Sequence, residues 1–373
     1  MAGNIDSLGK GGASSKVPMH RTVAETLRRE ILSGKWLAPG SAFPSERALA
    51  RRFGVSRPTI TLALQELRGE GLILRQRGSG TFLTKTARKL GRAIGLVVPG
   101  ISYGEVYPAI CREVSRLAQE DGLTLLFGDV SSSNPNVRAR RAIELANKFA
   151  AEKVSGVIFQ PIELVDDAER ANSQFLSVFD DAKVPVVLID NDIVPSPERS
   201  SYDVVSINSF DAGRRVALHL REAGAKRVHF LMNKNWGHCL QNRLLGVRSV
   251  FGERVRVVDL DPKNADAVRR FVRSRPRPEA AVCRNDDVAA HLVVALRKLG
   301  VGVPGDLLVT GFNDLSWATL LDPPLTTIHV PCEAIAQTAY ATLMARLADP
   351  SLPPRECYLP APLVVRGSTH TMP

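Results

Sequence analysis

Pro44-Ser45-Glu46-Arg47-Ala48-Leu49-Ala50-Arg51-Arg52-Phe53-Gly54-Val55-Ser56-Arg57-Pro58-Thr59-Ile60 reads as two short helices meeting at a tight turn. Pro44-Ser45 opens the first, Glu46 to Phe53, with Leu49 and Phe53 on one face. Gly54 fits the left-handed position after its last turn. Ser56 caps the second, and Pro58 sits in its first turn, where proline costs no hydrogen bond. Ile60, Ala63, Leu64 and Leu67 continue at helical spacing. A helix, a turn of about three residues and a helix make a helix-turn-helix. Its polar entry, Ser56-Arg57-Pro58-Thr59, is free to point outward while the apolar stripe packs inward.

Upstream, Val23, Leu27 and Ile31 predict a helix over 20–33, stopped by Gly34 and followed by the Pro39-Gly40 turn. Downstream, Gly71-Leu72-Ile73-Leu74 and Thr81-Phe82-Leu83 flank Arg75-Gln76-Arg77-Gly78-Ser79-Gly80, two short strands around a basic, glycine-rich tip: a wing. Residues 1–17 are Gly/Ser-rich and are expected to be a disordered tail without a secretory hydrophobic segment. Residues 18–84 form the predicted winged helix, and Lys85, Arg88, Lys89 and Arg92 make 85–92 a basic linker.

The chain has 373 residues and a net charge of +11. Residues 1–92 hold 17 basic and 6 acidic side chains, so the remainder, with 32 of each, is neutral. A small cationic module on a neutral body is the footprint of a nucleic-acid binder with a second task. Membrane-surface binding would need a broad apolar helix face open to lipid, and these faces are needed for a core. No apolar run approaches the ~18 residues that span a bilayer. Cys111, Cys239, Cys283, Cys332 and Cys357 are odd in number with no CxxC, which favours reduced thiols in a cytoplasm over disulfides or a thiolate zinc site.

From Arg92 the texture becomes apolar strands alternating with helices, as in Ile94–Pro99, Leu123–Val130, Gly156–Pro161, Val184–Asp190, Val228–Asn233, Val255–Leu260, Ala280–Cys283 and Leu307–Phe312. That pattern predicts an α/β body, residues 93–373, of parallel sheets flanked by helices. About ten strands exceed one comfortable sheet, so two lobes with a ligand cleft at the strand C-termini are expected. The polar residues there are Tyr103, Tyr107, Gln160, Asp190, Asn191, Asn235, Trp236, Arg243, Asn285, Asp286, Asn313 and Trp317. Amides and a carboxylate suit paired hydroxyls, a guanidinium suits hydroxyls or a carboxylate, and aromatic rings stack on an apolar sugar face. Asp190 and Asn285 equally suit helix caps, Trp236 a hydrophobic plug, and Arg243 a surface helix position. No zinc HExxH, GxSxG elbow or GxxxxGK loop is present, so neither an enzyme nor a cofactor is expected.

Over residues 18–84, Pro44-Ser45-Glu46-Arg47, Val55-Ser56-Arg57-Pro58-Thr59 and Gly78-Ser79-Gly80-Thr81-Phe82 resemble the GntR family of winged-helix regulators. The resemblance implies that Arg47 contacts backbone or base edges, that Ser56, Arg57 and Thr59 enter the major groove or bind flanking phosphates, and that Gly78 lies at the minor-groove edge beside Arg75 and Arg77. Thr61 stands where the family commonly has Arg, so one cationic contact is replaced.

Residues 93–369 resemble the sugar-binding core of the LacI/GalR regulators, a periplasmic-binding-protein-like type I fold. The matches include Val184–Asp190, Asn208 with Asp211-Ala212-Gly213, Arg243-Leu244-Leu245-Gly246, Asn285-Asp286, Gly311-Phe312-Asn313-Asp314, Pro324–Ile328 and Leu363–Ser368. Asp190, Arg243 and Asn285 fall on effector positions of that family. Asn313, where many relatives carry Asp, and Val330, where some place a polar contact, imply an effector unlike the best-known sugars. A GntR-type head on this body is an arrangement similar to arabinose-repressor-like regulators.

Together these imply a cytoplasmic, homodimeric transcription regulator, a repressor, that binds double-stranded operator DNA and is controlled by a small molecule, a sugar first. A purine or other non-sugar effector, or a partner protein, is the alternative. A sugar-processing enzyme lacks its catalytic set, and a transport protein lacks its leader.

Overall fold

The computed structural model describes residues 18–32, 36, 43–76, 80–84, 93–100, 105–132, 134–163, 165, 167–232 and 237–370. The chain falls into two compact units, Met1–Gly91 and Arg92–Pro373.

In the first unit, α1 (Met19–Leu32), α2 (Glu46–Phe53) and α3 (Arg57–Gly69) precede a hairpin of β1 (Ile73–Gln76) and β2 (Gly80–Leu83). Ser45 caps α2 by accepting from the Ala48 amide, and Ser56 caps α3 by accepting from the Thr59 amide. Gly54 ends α2 at φ 63°, a conformation that favours glycine. Leu27, Ile31, Leu49, Ile60, Leu64 and Leu67 are fully buried and form one core with Ile73 and Leu83. The apolar stripes of three helices and the inner face of the hairpin thus meet in one small core.

The second unit contains two parallel sheets. The first has six strands in the order β13-β7-β6-β5-β3-β4: β3 (Ala93–Val98), β4 (Thr124–Asp129), β5 (Val157–Phe159), β6 (Val186–Ile189), β7 (Asp203–Ile207) and β13 (Glu356–Leu359). The second has four, β11-β10-β8-β9: β8 (Val228–Leu231), β9 (Arg256–Val258), β10 (Ala280–Cys283) and β11 (Leu308–Thr310). Every neighbouring pair in both sheets is parallel. A short antiparallel pair, β12 (Thr327–Ile328) with β14 (Leu363–Val364), was not expected from the sequence.

β7 and β13 were not read as strands either. β7 opens on the charged Asp203 after the polar Arg199–Tyr202, while β13 alternates exposed and half-buried positions at a sheet edge. Asp203 begins β7 almost fully buried and is neutralised by Arg346, with Nε and Nη2 at 2.9 and 2.8 Å. That pair fixes the helix Cys332–Ala348 to the first sheet.

The helices Ser209–Glu222 and His238–Phe251 pack backbone to backbone. A Cβ on Gly213 would lie 2.1 Å from the Arg243 carbonyl oxygen, and one on Gly246 would lie 2.0 Å from that of Phe210. Only hydrogen fits at either crossing. Among the described residues, no helix is long and apolar enough to cross a membrane.

Candidate ligand cleft and nucleic-acid interface

On the winged helix, Arg47 and Arg57 are exposed at the entries of α2 and α3, and Arg75 is exposed on the wing. Glu46 joins two of these cations: Arg75 Nη2 lies 2.6 Å and Arg57 Nη2 3.9 Å from its carboxylate. One anion thereby orients two cations from different elements. Their heads stay available to solvent, and the Arg57 side chain is 72% exposed. The Ser56 and Thr59 hydroxyls hydrogen-bond each other at 2.8 Å at the positive end of α3, a suitable seat for a phosphate. Thr61 turns back and donates to the Arg57 carbonyl at 3.1 Å, so it offers no cation and a spent hydroxyl donor. Arg77 and Gly78 lie outside the described residues.

In the second unit, the named residues gather at the carboxyl ends of parallel strands. Gln160 follows β5, Asp190 follows β6, and Tyr107 lies on the helix after β3 (Val106–Glu120). Arg243 lies on the helix after β8, Asn285 follows β10, and Asn313 follows β11. Tyr103 and Trp236 lie outside the described residues.

The structure brings Tyr107, Gln160, Asp190 and Arg243 into one cluster. Gln160, 2% exposed, donates from Nε2 to Asp190 Oδ2 at 3.3 Å. Arg243, 6% exposed, donates from Nη1 to the Arg284 carbonyl at 2.7 Å and lies 3.1 Å over the Phe312 ring. Among the described residues, its Nε and the Gln160 Oε1 have no hydrogen-bond partner. Buried polar atoms left open in a cleft are the positions a ligand fills.

Asn285 and Asn313 contribute differently. Asn285 accepts from the Val288 amide at 3.0 Å and caps the helix Asp286–Lys298. Asn313 is held at φ 116°, strained for a residue with a side chain, while its amide donates to the Ile328 carbonyl at 2.9 Å. Asp286, fully buried, accepts from Thr327 Oγ1 and the Leu315 amide and ties its helix to the loop after β11.

Three participants were missed. Glu163, three residues beyond Gln160 on the same strand-end loop, receives a hydrogen bond from the Asn191 side-chain amide. Glu163, Asp190 and Cys239 place one ligand atom each within 4.8 Å of one another. Phe312 underlies Arg243. The strand-end rule that selected Gln160 would have found Glu163 had it been carried one turn of loop further. Phe312 carried no polar signal.

Burial dominates the titration of the group. Burial pushes the Glu163 carboxyl up to about 8, and neighbouring Asp190 adds to the rise. Burial also raises Asp190, opposed by the Arg243 charge. Burial lowers Arg243, opposed by Cys239, Asp190 and Glu163. Burial, then Asp190, lifts Tyr107 well above its ordinary range. Two contacts close the lobes over this cluster. Asn191 accepts from the Cys239 amide at 2.6 Å, and Glu105 accepts from the Ser316 amide at 2.8 Å. Beyond Asp190 lies a cavity of about 370 Å³ lined by Asn191, Ser206, His238, Cys239, Asn242 and Tyr358. That volume is of small-ligand size.

Residues 19–83 match the family described as "Bacterial regulatory proteins, gntR family", and residues 217–369 match the "Periplasmic binding protein-like domain". The chain is 26% identical over 370 residues to an arabinose metabolism transcriptional repressor of Geobacillus stearothermophilus, covering 95% of this chain and 98% of that protein. A LacI family transcriptional regulator from Enterococcus faecalis, solved with bound ribose, superposes with TM-score 0.64 at 22% identity, over 75% of this chain and 100% of that one. A complex of the transcriptional regulator CelR with cellobiose superposes with TM-score 0.63 at 20% identity, over 87% and 100%.

Proposed function

We propose that this transcription regulator, a gntR-type winged helix joined to a LacI-type ligand-binding body, is a repressor released from operator DNA by a sugar. Residues 18–84 serve as the DNA-binding domain, 85–92 as the linker, and 93–373 as the effector-binding and dimerising body. The observation that carries the reading is Arg243: a buried guanidinium, its Nε without a partner among the described residues, in electrostatic contact with Asp190 at the strand ends of the two parallel sheets. Guanidinium and carboxylate together donate to and accept from ring hydroxyls. Sugars bound to two proteins of this fold support the choice of ligand class.

On the DNA side, Arg47, Arg57 and Arg75 read base edges or phosphates, and Ser56 and Thr59 hold a phosphate at the end of α3. Two-fold assembly calls for a two-fold operator. Ligand controls DNA affinity only as far as it binds the two states differently, and a 100-fold release needs about 3 kcal/mol of coupling.

The test is a thermal-shift screen of the full-length protein against monosaccharides, sugar acids, sugar phosphates and purines, followed by Arg243→Gln. A ligand at about 100 times its Kd adds ~2.7 kcal/mol to the folded state and moves Tm by a few degrees. The variant is expected to lose that shift and keep DNA binding. A shift that survives the substitution puts the ligand elsewhere. A purine hit alone replaces the sugar.

A further inference from the structure

The cavity of about 370 Å³ beyond Asp190 is not lined by Arg243, Gln160 or Tyr107. It shares Asp190 and Cys239 with the effector cluster and otherwise has walls of its own. One wall is the first sheet, through β7 and β13 and the loop after β6. The other is the entry of the helices Ser209–Glu222 and His238–Phe251.

Its free polarity is one-sided. On the helix side, Ser209 Oγ and His238 Nδ1 are buried without a hydrogen-bond partner among the described residues. Asn242 lines the cavity one turn beyond His238. On the sheet side the polar groups are already used. Ser206 Oγ donates to the Asp190 carbonyl at 2.6 Å, and the Asp192 carboxylate accepts from the Ile193 and Ser200 amides at 2.6 and 3.0 Å. Asn191 donates to Glu163 and accepts from the Cys239 amide.

The mouth is apolar. Phe210, Leu245 and Tyr358 line the cavity and yet are 42%, 50% and 54% exposed. Large apolar side chains left in water around a concavity with a few unpartnered polar groups are the pattern of a small-molecule site. The charges at the rim call for no ion. Glu356 accepts from the Tyr358 hydroxyl at 3.2 Å, and Glu198 and Arg199 are exposed and opposite in sign.

We propose that this cavity is a second small-molecule site, for a neutral aromatic heterocycle with one amide-like edge. The ring covers Phe210 and Tyr358, and the edge pairs with Asn242, His238 and Ser209, which supply both donors and acceptors. A sugar fits less well. Its hydroxyls run all round the ring, and Ser206, Asn191 and Asp192 on the sheet side already have partners. The site is separate from the Arg243 cluster and does not depend on the sugar reading of it.

The experiment titrates the full-length protein by calorimetry with uracil, nicotinamide and 2-pyridone, and with D-ribose as a polyol of similar size. At least one heterocycle is expected to bind at one per chain. Asn242→Leu and His238→Phe are each expected to weaken it about tenfold, the loss of a buried hydrogen bond, and Arg243→Gln to leave it unchanged. Two variants on separate turns, each checked by its Tm, guard against one failing to fold. If no heterocycle binds, the inference fails. If Arg243→Gln abolishes the binding and the two cavity variants do not, the ligand sits in the effector cleft and the inference fails. If ribose binds and is lost in Asn242→Leu, the cavity takes a polyol and the proposed ligand class is wrong. The sugar reading is tested separately, by the loss of the sugar response in Arg243→Gln.

Discussion

At the scale of single residues, environment decides what each group can do. Arg243 reads in the sequence either as a ligand anchor or as a surface helix position, and the fold removes it from water and stacks it on Phe312. Glu163 shows the reverse case: an ordinary loop glutamate becomes a carboxyl that holds its proton to about 8, because burial and then Asp190 oppose its charge. The groups facing it are Asp190, Arg243, Asn191 and Arg138. Its folded pKa lies above its unfolded one, so the native state binds the extra proton. Raising the pH from the unfolded value to about 8 therefore removes stability. Glu163→Gln is expected to flatten that decline and to raise Tm at alkaline pH relative to the natural protein. Melting curves across the range check this, and parallel curves for the two proteins would contradict it. Gln160 and Asp190 were legible in the sequence because polar residues stand out after apolar strands, and Arg243 through the resemblance carried by Arg243-Leu244-Leu245-Gly246. Asn285 was chosen by the same rule and is occupied as a helix cap, a use with the same sequence signature.

At the scale of elements, caps and glycines explain why short motifs are so readable. Ser45, Ser56, Asn208 and Asn285 each accept from a backbone amide in the first turn of their helices. Asp211-Ala212-Gly213 and Arg243-Leu244-Leu245-Gly246 lie far apart in the chain, and the two crossings at Gly213 and Gly246 show their shared purpose. Gly213 touches the Arg243 carbonyl itself, so the glycine positions the arginine. Gly213→Ala is expected to cost about 1–3 kcal/mol or more by overpacking, and to weaken ligand binding through displaced Arg243. Tm and ligand titration measure the two effects. A variant as stable as the parent would refute the close crossing. Apolar runs made the central strands legible. β7 and β13 were not, because a buried Asp203 opens one and an edge position dilutes the other. Their stability comes from partners distant in sequence, Arg346 for Asp203 and the β7 ladder for β13.

At the scale of the whole molecule, the chain joins a cationic reader to a neutral sensor. The sequence shows the split directly, since all of the net charge of +11 falls before residue 93. What it could not show is the grouping of Glu163, Asp190 and Cys239, which arises only when separate loops and a helix are brought together. The central claim is that the Arg243 cleft governs DNA affinity. The direct measurement is fluorescence anisotropy of the full-length protein on a duplex selected from a random library, over a salt series, with and without the ligand found by thermal shift. The account expects log affinity to fall with log salt by about 0.9 per phosphate contact, and ligand to weaken binding by about 100-fold in the natural protein but not in Arg243→Gln. Ligand binding that leaves DNA affinity unchanged, or that weakens it equally in the variant, would contradict the account.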